Sequence, residues 1–462
     1  MLKLAAIYGD NMVFQQQMPM TVWGYGDDGD EIKVFITSDN GECVSEGLST
    51  VQNGRWSVEL SPLEVMKNLS LTAEGTGGVI KLTNVAVGEV WFCSGQSNAE
   101  CNFNYCSGTE EYIDEVGKFD FRFMDIEPAI SFEERENGEN VRWIIPDKSN
   151  MMELGVVPVL FGHCLSRDLS DVPVAVVRNY RSGNCLFTYI SDEIMRSRPE
   201  YSYMIDIFND EKRETKSAWS MIPVAFYNAM TVPVKAFRFR GALWYQGESD
   251  SAFDRPKIYK QLLTDTIDMW REMFRSPDMP VLVVQLCPFE QSPFDFKTVR
   301  QIQYEMSKDD ENIYLVSTAD LGPTGDTDES AIHPKFKTPI SERAALAALG
   351  AVYKTVSSEW CAPVLDSAVL EGENIVMKFS HSGSGLVSTD EKLKGFDYTS
   401  DGVYYHEADA EIVSPDTVVI KNASDARIVR YCCINLSEDK KTLGGTLTND
   451  TGIPAIPFAE FI

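Results

Sequence analysis

Four segments of this chain carry residue types suited to ester chemistry, and they lie far apart in the sequence. The first is Gly88-Glu89-Val90-Trp91-Phe92-Cys93-Ser94-Gly95-Gln96-Ser97-Asn98, an apolar run that ends in a glycine and continues into a polar stretch able to open a helix. This layout puts the Ser97 hydroxyl at the carboxyl end of a strand, beside the N–H groups of a helix start, where an oxyanion is held. A serine there also reads as a plain cap on the turn, so the segment needs company. Three further segments supply it: Arg181-Ser182-Gly183-Asn184, Trp244-Tyr245-Gln246-Gly247-Glu248-Ser249-Asp250 and Ser330-Ala331-Ile332-His333-Pro334-Lys335.

A serine nucleophile needs a base within hydrogen-bond reach, and imidazole suits that task near neutral pH. The chain has only four histidines. His163 sits in an apolar helical run and reads as core. His381 and His406 fall in a β-rich C-terminal region and read as surface residues. His333 stands on a loop after a strand; Pro334 holds its backbone extended, and Thr338-Pro339 opens a helix just beyond. It is the candidate base. Gln246 can donate an amide N–H to a developing oxyanion. Glu248, acceptor-only when ionised, reads as orienting its neighbours. Gly183 can bring a bare backbone N–H close to a bound ester, although alone it is a loop glycine.

These segments must be positioned by a larger scaffold. The chain has 462 residues, enough for two or three domains. Residues 1–85 show short strands at 13–15, 20–24, 31–36 and 55–60 between Gly, Asp and Asn turns, as in a small β-sandwich. Residues 86–356 alternate apolar strands (172–177, 237–245, 281–286, 313–317) with helical periods such as Ile258, Leu262, Leu263, Ile267, Trp270 and Phe274. That alternation predicts a doubly wound parallel sheet with ligands at the carboxyl ends of its strands. Residues 357–462 return to short strands at 375–379, 402–405, 417–420 and 428–431. The fold class is therefore α/β, with β-rich regions flanking the central sheet.

Charge narrows the partners. A net charge of −29 argues against nucleic acid and against an anionic membrane. No stretch approaches the roughly 18 apolar residues of a membrane span. The opening ten residues are too short an apolar run for a signal peptide. None of the ten cysteines forms a CxxC pair or a Cys/His cluster with zinc spacing. Most read as small buried hydrophobes in a reducing, cytoplasmic compartment; Cys101 and Cys106 are the pair most apt to break that pattern. Oligomeric state is left open.

The ordered set of Ser97 in Gly-Gln-Ser-Asn, Gly183, Gln246 in Trp-Tyr-Gln-Gly-Glu-Ser and His333 in Ile-His-Pro-Lys resembles the sialate O-acetylesterase family of the SGNH hydrolases. Asn11-Met12-Val13-Phe14-Gln15, Tyr227-Asn228-Ala229-Met230, Arg300 with Gln303, Ile428-Val429-Arg430-Tyr431 and Pro454-Ala455-Ile456-Pro457-Phe458 extend the resemblance over almost the whole chain. It implies an SGNH-type sheet and hydrolysis of acetyl esters on sugar hydroxyls, with neither metal nor cofactor. It further implies Ser97 as nucleophile and His333 as base, then acid. The N–H groups of Ser97 and Gly183 and the Gln246 amide would form the oxyanion hole. Gln96, Asn98, Glu248 and Arg300 would stand around them. Many relatives carry Asp two residues before the histidine, where this chain has Ala331. Glu329 or Asp328 is the expected substitute for that carboxylate; a Ser–His dyad is the alternative. The expected partner is an O-acetylated carbohydrate, sialate or plant-type oligosaccharide. Arg178, Arg181, Arg300, Lys335 and Lys337 are the candidates to clamp a sialate carboxylate. The competing class is a carbohydrate-binding module with weak or no hydrolysis, favoured by the missing Asp and opposed by the intact Ser97, Gln246 and His333. A lipase-like hydrolase lacks its Gly-x-Ser-x-Gly elbow here.

Overall fold

The computed structural model describes residues 1–213, 219–289, 293–321, 332–433 and 445–462. Two units emerge. The first comprises Met1–Asn104, Thr109–Leu243 and Leu262–Met279; the second comprises Tyr105–Gly108, Trp244–Gln261 and Pro280–Ile462. The architecture is mixed α/β, with β-rich regions outside the helix-covered strands.

The strand Gly78–Gly95 organises the first unit. Its beginning pairs antiparallel with Met66–Gly75, and its end pairs parallel with Val174–Tyr180, Glu89 opposite Val174 and Gly95 opposite Tyr180. Phe121–Ile126 adds a further parallel strand and Val141–Ile144 an antiparallel edge. Residues 85–96 are buried without interruption, which is why the segment reads as one apolar run. Both faces are covered by aromatic packing. Trp91 meets Phe161 of the helix Val156–Asp168 at 5.1 Å, and Phe92 meets Phe239, Trp270 and Phe274, each at 5.2 Å. Adjacent residues of one strand thus serve opposite faces.

The N-terminal strands form two layers. Lys3–Leu4, Met20–Tyr25 and Arg55–Leu60 make one sheet. Cys43–Thr50, Glu31–Thr37 and Met66–Gly75 make the other, which runs directly into Gly78–Gly95. The boundary expected between residues 85 and 86 therefore falls inside a single strand. Val13–Gln15 pairs parallel with Ala86–Gly88 of that strand. Gln15 then fixes it in two ways: its Oε1 accepts the Val90 N–H at 2.8 Å and its Nε2 donates to Glu89 at 3.3 Å. Glu89 is a buried carboxylate held by Arg240 at 2.7 and 3.1 Å. A buried charge persists only when paired in this way, which gives the Asn-Met-Val-Phe-Gln signature a structural reason.

In the second unit, Val281–Val284 runs parallel to Ile313–Val316. The helix Phe296–Asp309 starts at Asp295, whose side chain accepts the Thr298 N–H at 3.3 Å. Beyond it lie antiparallel sheets. One joins Val364–Glu371, Asn374–Ser380, Thr417–Ile420 and Ala410–Ser414; another joins His406–Glu407, Phe396–Thr399, Ile428–Tyr431 and Phe458–Phe461. Their shared core includes Ile375, Met377, Phe379, Val418, Ile420, Tyr431 and Phe458, and Tyr304 of the helix enters it. Residues 402–405, expected as a strand, form a turn instead. Asp401 accepts the N–H groups of Val403 and Tyr404 at 2.8 and 2.9 Å, and Thr399 Oγ1 accepts that of Gly402 at 3.0 Å. Side-chain acceptors here outcompete a β ladder.

Candidate active site

Ser97 is the first residue of the short helix Ser97–Glu100 and the first after residues 85–96 that is not fully buried. Gln96 and Asn98 on either side are buried. Intrahelical bonds begin with Ala99 and Glu100 donating to the Gln96 carbonyl, so the Ser97 N–H precedes the ladder. Ser97 is not the cap of this helix: Gln96 occupies the capping position, and its side chain makes no cap bond.

The loop after Val174–Tyr180 lies at the same end of this parallel pair. The Arg181 N–H donates to the Gly95 carbonyl at 3.2 Å. Gly183 is exposed at φ +78°, a conformation that L side chains rarely adopt. Asn184, buried, donates to the Tyr189 hydroxyl at 3.3 Å, and Tyr189 donates to the Gly95 carbonyl. Glu100 completes the arrangement. Its carboxylate accepts the Ser182 N–H at 2.7 Å, the Ser182 hydroxyl, and Arg178 at 2.8 Å. One carboxylate thus ties the Ser97 helix to the Gly183 loop. Sequence reading missed Glu100; its only signal was an acidic residue three places after the serine.

Arg178 also binds Asp125 at 2.9 Å, and Arg181 reaches Glu100 at 3.3 Å. Arg178 is thus paired with two carboxylates of the protein, whereas the more exposed Arg181 makes one longer contact. Glu100→Ala should therefore lower kcat on a simple acetyl ester roughly ten- to a hundredfold by loosening the loop. KM should change little, and steady-state kinetics beside a thermal melt check both points.

Gln246, Glu248, Arg300 and His333 belong to the second unit. Gln246 follows the strand Gly241–Tyr245 and is wholly buried. Its carbonyl accepts the Tyr259 hydroxyl at 3.0 Å and Gln303 Nε2 at 3.2 Å, while its own Nε2 donates to Asp250. A primary amide carries two N–H donors; the Asp250 bond orients the group and fixes where the second points. Gly247 follows at φ +146°, with a Cβ there 2.9 Å from Val299 Cγ1, so no larger residue fits. Glu248 is buried, and its carbonyl accepts the Ser251 hydroxyl at 2.7 Å. Arg300 is buried too. Its Nη1 donates to the Cys432 carbonyl at 2.9 Å, its Nε and Nη2 find no acceptor among the described residues, and burial pushes its pKa down.

The His333 carbonyl accepts the Tyr105 hydroxyl at 3.1 Å, and the two rings meet edge to face at 6.5 Å. Burial, and then the positive charge of Lys337, push the imidazole down to about 4. Lys337 is itself buried, with its ammonium 5.6 Å from the centre of the Tyr245 ring. Lys335 sits 5.7 Å over the Tyr105 ring. Asp328 and Glu329, with Ser330 and Ala331, lie outside the described residues. His163 is buried in the helix Val156–Asp168, as its apolar surroundings implied. Cys93, Cys287 and Cys432 are buried, as small hydrophobes are.

Residues 87–337 match the family model described as carbohydrate esterase, sialic acid-specific acetylesterase. The chain is similar to the sialate O-acetylesterase of Mus musculus, 24% identical over 401 residues that cover 75% of this chain and 73% of the relative. Similarity to the Rattus norvegicus protein of the same name is 23% over 432 residues, covering 81% and 78%. A solved carbohydrate acetylesterase from Xanthomonas citri shares the fold, with a TM-score of 0.84 at 23% identity over 99% of each chain. Among the described residues, no helix is long and apolar enough to cross a membrane.

Proposed function

Because the chain belongs to the sialic acid-specific acetylesterase family of carbohydrate esterases, we propose that it releases acetate from O-acetylated sugars through an acetyl-serine intermediate. Ser97 Oγ attacks the acetyl carbonyl while His333 takes its proton. The tetrahedral oxyanion is met by the Ser97 and Gly183 N–H groups and the Gln246 amide. Collapse expels the sugar oxygen, which His333 protonates. Water then attacks the acetyl-enzyme with His333 again as base, and acetate leaves. The observation that carries this reading is Ser97 itself: a partly buried serine that follows twelve buried residues at a helix start, beside an exposed positive-φ glycine loop.

The substrate we favour is a neutral O-acetylated oligosaccharide. A chain of net charge −29 imposes no long-range penalty on it, whereas a sialate carboxylate needs local cations. The deciding experiment incubates the protein and its Ser97→Ala variant with a chromogenic acetyl ester, then with acetylated xylan, mannan and sialosides. Serine-dependent acetate release supports the esterase; release from sialosides alone overturns the substrate preference. Sugar binding without serine-dependent release identifies a binding module instead.

Gln246→Ala should slow turnover about a hundredfold or more, since one lost oxyanion donor costs about 2.7–4 kcal/mol. The chain should still fold, because the bonds to the Gln246 carbonyl remain. Near-normal acetate release by this variant would remove the amide from the mechanism.

A further inference from the structure

Three side chains that show no metal-binding spacing in the sequence come together in the C-terminal part of the second unit. Glu359, Cys361 and His381 each present one donor atom, and all three atoms lie within 4.8 Å of one another. Glu359 Oε1 is 3.3 Å from His381 Nδ1 and accepts the backbone N–H groups of Trp360 and Cys361 at 3.0 Å each. Those two bonds hold the carboxylate in place. The buried Asn449 amide holds the other two residues, donating to the carbonyls of Cys361 at 3.0 Å and His381 at 3.4 Å. Cys361 and His381 line a cavity of about 280 Å³ together with Tyr314 and Trp360.

We propose that Glu359, Cys361 and His381 bind one borderline-soft divalent transition ion of the Zn²⁺ type, with its fourth position open to this cavity. One thiolate, one imidazole and one carboxylate form a donor set that such an ion prefers. Mg²⁺ and Ca²⁺ demand about six oxygen ligands, and the cluster offers a single carboxylate. Tetrahedral coordination at bond lengths of about 2.0–2.3 Å places donors about 3.3–3.8 Å apart. The Glu359–His381 pair already has that spacing, and the thiol reaches it by a side-chain movement on the order of 1 Å. The competing explanation is a plain Glu359–His381 ion pair beside a bystander thiol. Thiolate ligation separates the two. The site stands apart from Ser97 and His333 in role, and its test does not depend on esterase activity. A bound ion would staple residues 359–361 to the turn that carries His381.

The experiment uses the full chain, stripped with a chelator and kept reduced by a non-coordinating phosphine. It is titrated with CoCl₂ and then ZnCl₂. The expected result is a near-ultraviolet thiolate-to-cobalt band that saturates at one ion per chain and disappears on addition of Zn²⁺. Excess Mg²⁺ leaves the band unchanged. Cys361→Ser should lose the band, and His381→Ala should weaken Co²⁺ binding at least tenfold. Absence of the band in the parent chain overturns the proposal, as does a band of unchanged strength in Cys361→Ser. If Cys361→Ser fails to fold, His381→Ala decides, because His381 is exposed on a turn. Unchanged affinity in that variant is equally fatal.

Discussion

Ser97→Ala is expected to reduce acetate release by about 10⁴-fold or more, with sugar affinity retained. The size follows from the role. Without the hydroxyl no acetyl-enzyme forms, and only oxyanion stabilisation and binding remain to speed direct attack by water. The substitution removes one oxygen from a partly buried residue and leaves the Gln96 and Ser97 carbonyls in their helical bonds. The melting temperature should therefore stay within about 2 °C of the parent. An active-site-directed phosphonate should label the parent at Ser97 and leave the variant unlabelled. Acetate release that survives the substitution, with a normal melt, would move the nucleophile elsewhere and end the proposal.

Much of this was legible because the local signals were strong. The strands 55–60, 417–420 and 428–431 stand where alternation and turn residues put them. The helix read from Ile258 to Phe274 is Pro256–Met273. Ser97 and Gln246 each stand just past a strand, as an apolar run with a glycine at its end or just beyond implies. What stayed hidden depends on tertiary placement. Glu100 reads as an ordinary surface acid until Ser182 and Arg178 are seen around it. The carboxylates that Arg178 and Arg181 pair with are equally invisible in the sequence. Lys337 reads as a solvated charge, yet it is buried and bears on His333. Residues 402–405 have strand-forming side chains, and only the Asp401 and Thr399 acceptors reveal the turn. Glu359 and Cys361 are joined to His381 by Asn449, which no spacing rule reports.

His333→Ala should cost about as much as the serine substitution, on the order of 10⁴-fold or more in kcat, since nucleophile and base act as one unit. The pH profile of the parent says more about how the base works. His333 must be neutral to accept the serine proton, and burial with the Lys337 charge holds it down at about 4. The acid limb of kcat/KM should accordingly fall well below the ordinary imidazole value of about 6.5, leaving activity nearly flat from about pH 5 to 8. Lys337→Met removes the charge and keeps the stem, so it should move the limb upward. Stability follows the same sign. The folded value lies below the unfolded one, so between about 4 and 6.5 the unfolded chain binds the extra proton and stability rises with pH. So low a value also makes a weak base, and modest turnover is the expected consequence. A carboxylate on the imidazole would reverse the prediction, because an adjacent negative charge stabilises imidazolium and lifts the limb toward or above 6.5. A profile breaking near 4 identifies a Ser–His dyad. One breaking above 6, and falling when Asp328 or Glu329 is made an amide, identifies that residue as the third member in the place where many relatives carry Asp.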